Sequence, residues 1–253
     1  MHPILFTIGP LTVASYGVCL ALAFLVNYPL FTAESKRRGI PTDAADYIFS
    51  TSIVGGMVGG KLLFIFESTL RGNLSFPHSV LPTSGFAALG GFVLAIGLNL
   101  LVIRVRKYPA GDVFNAVAPG LALAYGIARI GCQLAGDGDY GIPSDLPWAM
   151  AYPNGTVPTL IKVHPTPVYE TLASFITFGV LWKWRITKDR PFELFAWYLI
   201  FSGISRFLVE FIRLNPKLAF NLTTSQVIAF TGTVLGIGIL YRLNNSTVAK
   251  NNE

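Results

Sequence analysis

Apolar residues run in long stretches near 11–33, 44–66, 85–103, 112–134, 166–184, 191–212 and 222–241, separated by short polar or Pro/Gly-bearing breaks. Each run approaches the roughly 20 residues that a helix needs to cross a bilayer, where every backbone amide must be satisfied within the segment. The pattern predicts an all-α polytopic membrane protein of about seven transmembrane helices, built as a single integral membrane domain over residues 1–253. Among the breaks, only 135–165 is long enough to form an ordered extramembrane loop that carries part of a site.

Composition agrees with lipid as the main solvent. The chain is 52% hydrophobic and 13% charged, with a mean hydropathy of +0.55, whereas soluble domains are nearer a quarter charged. Twelve of the 19 basic residues (Lys36, Arg37, Arg38, Arg104, Arg106, Lys107, Lys183, Arg185, Lys188, Arg190, Arg242 and Lys250) follow the first, third, fifth and seventh runs. The positive-inside rule makes that side cytoplasmic, which puts the N-terminus and the 135–165 loop outside and the C-terminus inside. The first ten residues hold no Lys or Arg, so the first run is expected to be a retained span rather than a cleaved signal. The net charge of +6 is then mostly a topology signal, and nucleic acid is excluded as a partner. Cys19 and Cys132 fall in predicted spans and make no disulfide framework, and His2, His78 and His164 are too few for a multi-histidine zinc site. No metal or cofactor is expected.

Seven basic residues remain: Lys61, Arg71, Arg129, Lys162, Arg206, Arg213 and Lys217. A charge at membrane depth costs about 2.5–3.5 kcal/mol on insertion scales and normally faces a partner or a wet cavity. In "GISRFLVEFIRLNPK", Arg206, Glu210 and Arg213 are spaced i, i+4, i+7, on one helical face. One reading is an ion-pair ladder within the helix. The other has Arg206 and Arg129 cradling one phosphate, since guanidinium forks match phosphate oxygens, and a phosphate beside lipid belongs to a phospholipid headgroup. In "ARIGCQLAGDGDYG", Asp137 and Asp139 either chelate a hard cation or cap their own turn, and Asp137 also lies within reach of Arg129. "GGMVGGK" and "GFAALGGF" offer small residues for close helix packing, or room for a lipid at Gly90 and Gly91. "VHPTPVYE" opens a helix on proline and brings His164, as a proton carrier or an interfacial hydrogen-bonding group.

In order along the chain, "SYGVCLALAF", "GGKLLFIFE", "SGFAALGGF", "ARIGCQLAGDGDYG", "LPWAMAYP", "HPTPVYE" and "SRFLVEFIR" resemble the prolipoprotein diacylglyceryl transferase family. The resemblance covers nearly the whole chain. It implies an enzyme of the bacterial cytoplasmic (inner) membrane that moves the diacylglyceryl group of phosphatidylglycerol to the lipobox cysteine thiol of a prolipoprotein signal peptide. A thioether forms and glycerol phosphate leaves. Carried over by position, Arg129 matches the signature arginine, Gly131 its following glycine and Gly141 its closing glycine. Asp137 stands at a family glutamate, Arg206 and Glu210 match the pair on the sixth helix, and Tyr16 and His164 match a tyrosine and a histidine on the first and fifth. The resemblance thus implies Arg129, Arg206, Glu210, Asp137 and His164 as catalytic residues. It places Tyr16, Gly131, Gly141, Gly90 and Gly91 beside the substrate.

Three positions depart from the family pattern. The stretch from Arg129 to Gly141 is one residue longer, Cys132 replaces an asparagine, and Leu89 stands before Gly90-Gly91 where many members carry a histidine or another polar residue. The proton acceptor for the thiol is then sought among His164, Asp137 and Glu210. A divergent paralogue using another lipid or acceptor is the alternative within the family, and a membrane transporter or lipid-binding protein the alternative outside it.

Overall fold

The computed structural model of the chain describes residues 1–9, 11–70, 87–217 and 221–251. Among them are seven α-helices and two short antiparallel hairpins. The order is β1 (Ile4–Ile8), β2 (Leu11–Ala14), α1 (Ser15–Arg37), α2 (Asp43–Leu70), α3 (Ala88–Val105), α4 (Ala110–Ala135), β3 (Met150–Tyr152), β4 (Thr159–Val163), α5 (Thr166–Trp184), α6 (Glu193–Val209), a 3₁₀ turn (Glu210–Ile212) and α7 (Thr224–Asn251). The expected all-α chain is therefore mostly helical, with β1–β2 and β3–β4 as additions. Among the described residues, five helices are long and apolar enough to cross a membrane: α1, α2, α4, α6 with its 3₁₀ turn, and the apolar part of α7. Leu25, Val54, Met57, Phe66, Ile176 and Phe230 are exposed on the helices, an arrangement that water penalises and lipid does not. The chain is a multi-pass membrane protein.

Several helix boundaries differ from the sequence expectation. Residues 11–14 are not helix: Thr12 and Val13 favour extended backbone and find a partner in β1. The helix starts at Ser15, whose backbone N–H donates to the Pro3 carbonyl at 3.0 Å. The third run, expected from 85, is helical from Ala88; residues 84–86, with Arg71 and His78, lie outside the described residues. The fifth, 166–184, coincides with α5.

The chain forms two compact units, Met1–Phe31 with Phe114–Glu253, and Thr32–Val113. The second unit is built on α2 and α3. A Cβ on Gly55 would meet Ala95 Cα at 2.5 Å, one on Gly91 would meet the Gly56 carbonyl at 2.8 Å, and Gly59 and Gly90 face each other backbone to backbone. Dispersion between backbones is strong at such spacing, which is how helices associate where lipid removes the hydrophobic drive. Asn99 ties the pair, donating to Ser52 Oγ at 2.9 Å and accepting from Thr51 Oγ1 at 2.7 Å. Two of the basic residues at the end of α1 are held by acids. Arg37 bonds Glu34 at 2.9 Å, and the buried Arg38 side chain lies 3.8 Å from Glu34 and 3.4 Å from Asp112.

In the first unit, Ala118 and Ala122 of α4, Leu181 of α5 and Leu194 of α6 form the buried core, with Phe178, Trp184, Trp197 and Phe201 packed against it. Asn115 joins the helices at one end, donating to the Arg190 carbonyl at 2.8 Å and accepting the Phe195 N–H at 3.1 Å. At the other end of α4, the His2 N–H reaches the Leu134 carbonyl at 2.9 Å, and the 135–165 loop folds back across the C-terminus of α6.

The glycine contacts between α2 and α3 give a stability test. Gly59→Val is expected to lower the Tm of the detergent-solubilised protein clearly, since overpacking a tight contact costs about 1–3 kcal/mol. Gly97→Ala, at a position of the same helix pair with open space around it, is the control and is expected to leave Tm unchanged or raised. Equal Tm for Gly59→Val and wild type would contradict the packing assignment.

Candidate active site

The site is assembled where α4, α5 and α6 end or begin within the first unit. Arg129, near the end of α4, directs its Nε to Glu170 Oε2 at 3.1 Å and its Nη1 to Asp139. Arg206, in the last turn of α6, directs Nη1 to the other oxygen of Glu170 and Nη2 to Glu210 Oε2 at 3.1 Å. Arg213 lies 3.3 Å from Glu170 Oε2 and 3.6 Å from Glu210 Oε2, and donates to Asp139. Three guanidiniums thus meet three carboxylates. Both Arg129 and Arg206 have counter-charge in place: Glu170 serves them together from α5, thirty-six residues before Arg206 in sequence.

The backbone explains how these groups arrive. Pro216 disfavours helical backbone at Asn215, and α6 tightens into the 3₁₀ turn and ends there. Arg213 is consequently extended (φ −87°, ψ 155°) rather than the third rung of a helical ladder, and it bridges Gly141 across a short antiparallel contact. Ile142 N–H donates to the Ile212 carbonyl at 2.8 Å, and Gly141 N–H to the His164 carbonyl at 2.9 Å. A Cβ on Gly141 would strike the Ile212 carbonyl at 2.5 Å and His164 Cβ at 3.0 Å, so only glycine lets the loop close on Arg213. Gly136 ends α4 with φ +57°, turning the chain towards Asp137 and Asp139.

The two aspartates have different partners. Asp137 Oδ1 accepts the Asp139 N–H at 3.2 Å, a side-chain-capped turn. Asp139, and not Asp137, holds Arg129, and it holds Arg213 as well. Donor atoms of Cys132, Asp137 and Asp139 lie within 4.8 Å of one another, but two guanidiniums occupy Asp139 and disfavour a cation there. Cys132 is buried with its Sγ 3.7 Å from Arg129 Nη1.

The remaining expected residues fall in three places. Gly131 lies against α1, where a Cβ would meet Tyr16 Cα at 3.2 Å and Cys19 Cβ at 3.0 Å; the Tyr16 ring is half exposed above it. His164 is half-buried on the far side of Gly141, its Nδ1 3.2 Å from the Tyr169 hydroxyl, which also accepts the Trp148 Nε1–H at 2.7 Å. Gly90 and Gly91 belong to the α2–α3 contact of the other unit, and Leu89 beside them is exposed. Residue reasoning missed Glu170 and Tyr125, whose hydroxyl donates to Glu170 Oε1 at 2.8 Å while its ring lies 4.9 Å from the Arg129 guanidinium. The rule that a buried ionisable group in a membrane segment marks a site would have found Glu170, had it been applied to acids as well as to arginines.

Burial pushes the Asp139 carboxyl up, and the Arg129 and Arg213 guanidiniums more than reverse this, so its pKa falls below the ordinary carboxylate value. The stabilisation this implies is fully present above the unfolded value of about 3.9 and is lost as pH falls through the lower folded value. Asp139→Asn is therefore expected to lower Tm by a constant amount from about pH 5 upward, with the gap closing as wild type is acidified towards about pH 3. A gap that widens on acidification would rule out this linkage.

A family model described as prolipoprotein diacylglyceryl transferase matches residues 3–242. A relative from Clostridium tetani, named phosphatidylglycerol–prolipoprotein diacylglyceryl transferase, is 32% identical over 241 residues, covering 94% of this chain and 96% of its own. One of the same name from Bordetella avium is 34% identical over 219 residues, covering 83% and 81%. Another, from Leptospira interrogans serovar copenhageni, is 28% identical over 233 residues, covering 82% and 72%. With the match running through α1, the α4 signature, α5 and α6, where the arginines and carboxylates meet, the chain belongs to the prolipoprotein diacylglyceryl transferase family.

Proposed function

We propose that the chain is a membrane enzyme that transfers the diacylglyceryl group of phosphatidylglycerol to the lipobox cysteine thiol of a prolipoprotein signal peptide. The observation that carries this reading is the convergence of Arg129 and Arg206 on the two oxygens of one buried carboxylate, in a chain of this family. Forming a thioether with release of glycerol phosphate requires the sulfur to attack the diacylglyceryl carbon bonded to phosphate oxygen. The S–C bond forms as that C–O bond breaks, and the bonding pair leaves on oxygen. The phosphate carries one negative charge as a diester and gains a second as the leaving group departs, so donors fixed around it bind the transition state better than the ground state. Arg129 and Arg206 are the proposed donors. Each retains an exposed part of its side chain, 13% and 20%, through which an incoming phosphate is met.

The thiol must ionise, since thiolate is the nucleophile. His164, Asp137 and Glu210 are the proposed acceptors of its proton; Glu210 is the most enclosed, accepting from Asn215 at 2.6 Å and Thr223 at 2.8 Å. Tyr16, Gly131 and Gly141 are the proposed lining of the substrate side, while the backbone of α2 fills the space beside Gly90 and Gly91, which serve the α2–α3 contact instead. Cys132 is a packing residue, because the acceptor brings its own thiol. In this reading α3 and α5 complete seven spans, with the N-terminus and the 135–165 loop outside the bacterial inner membrane and the C-terminus in the cytoplasm. Residues 1–253 act as one membrane domain; the family match, running across both compact units, supports this.

The deciding experiment incubates the purified protein with labelled phosphatidylglycerol and a lipobox peptide and follows the peptide by mass spectrometry. A diacylglyceryl peptide is expected; label bound without transfer would mean a lipid-binding protein. Arg129→Ala and Arg206→Ala are each expected to cut turnover at least about tenfold, or about 1.4 kcal/mol of transition-state stabilisation. If both variants transferred at the wild-type rate, the shared-phosphate role would fail. Single-turnover rates measured from about pH 5 to 9 test His164: if it takes the proton, His164→Gln lowers the rate and changes the profile. An unchanged profile would leave Asp137, Glu210 or water.

A further inference from the structure

Glu170 is 1% exposed and sits in the first turns of α5, the element that supplies no arginine to the site. Its Oε1 faces Arg206 Nη1 and the Tyr125 hydroxyl, the latter at 2.8 Å; its Oε2 faces Arg129 Nε at 3.1 Å and Arg213 Nη1 at 3.3 Å. A carboxylate has about four acceptor positions, and four donors face this one. Among the described residues no other acid touches all three guanidiniums: Asp139 reaches Arg129 and Arg213, and Glu210 reaches Arg206 and Arg213.

We infer that Glu170 is the positioning residue of the site, a filled acceptor that fixes the planes and spacing of Arg129, Arg206 and Arg213 from the one element able to reach them all. This rests on the transfer reaction proposed above. Its place is set locally: the Pro165–Thr166–Pro167 entry starts α5 at this level, and the Thr166 hydroxyl bonds the Asp139 carbonyl. Three like charges gathered around one carboxylate separate when its charge is removed, and the amide of a glutamine would turn a donor towards a guanidinium. A phosphodiester still attracts the loosened arginines. Donors aimed at the charge that appears only as the C–O bond breaks are what is lost, so the effect falls on kcat before KM.

The test measures kcat and the KM for phosphatidylglycerol in a lipobox-peptide transfer assay, with Tm, for wild type, Glu170→Gln and Glu170→Asp. Glu170→Gln is expected to lose about tenfold or more in kcat while KM moves less than about threefold, and Glu170→Asp to recover part of the loss. A folded Glu170→Gln with kcat within about twofold of wild type, or with KM alone raised, overturns the proposal. If Glu170→Gln does not yield folded protein, Glu170→Asp decides. Its shorter arm reaches fewer guanidiniums, so kcat at least about threefold lower at unchanged Tm supports positioning, and wild-type kcat overturns it. Failure of wild type itself to transfer would overturn the transferase reading and this proposal with it, an outcome distinct from a variant that matches an active wild type.

Discussion

A guanidinium carried into low dielectric must meet a carboxylate or another anion, because its desolvation is several kcal/mol and nothing apolar repays it. In this protein three guanidiniums are carried there, and Glu170 answers all of them. Much of the first unit follows from that requirement. Helices α4, α5 and α6 must bring their ends to one level, and the loop after α4 must return to supply Asp139. Removing one partner from such a cluster costs about 3–5 kcal/mol, by leaving a buried charge uncompensated, so geometry is enforced from every side.

The same requirement accounts for irregular backbone that would otherwise be a weakness. Ending α6 in a 3₁₀ turn frees carbonyls that a longer helix would have used, and the Ile212 carbonyl is taken by Ile142 N–H at 2.8 Å. Glu210 stands at the break and collects Arg206, Arg213, Asn215 and Thr223, tying the last turn of α6 to the segment that precedes α7. Such a site is already arranged before a phosphate arrives, and preorganised donors act without a reorganisation cost during reaction.

The Thr32–Val113 unit is stabilised differently. Its two long helices meet through glycines and an asparagine–serine–threonine chain, and its ion pairs include Glu34 with Arg37, Arg38 with Asp112, and Asp43 with Arg106, 3.8 Å apart. Close backbone contact needs no charge and tolerates no added methyl, so sequence change is restricted by volume there and by charge in the first unit.

The sequence by itself determined where helices form, because lipid demands long apolar runs and the runs are countable: α5 matches its expected limits, and α4 and α6 fall within a few residues of theirs. It also located Arg129, Arg206, Glu210 and Arg213, since charges in apolar runs stand out. It did not reveal β1–β2 or β3–β4, whose pairing depends on segments brought together by turns, nor that Arg213 leaves the helix. Nor did it select between Asp137 and Asp139, two residues apart on a turn whose direction is set by Gly136 and by closure of Gly141 on Ile212. Glu170 was in plain view within "HPTPVYE" and still could not be paired. Its partners lie on other helices, and which charges share a carboxylate is fixed by how helices pack in three dimensions, a quantity that one-dimensional spacing does not contain.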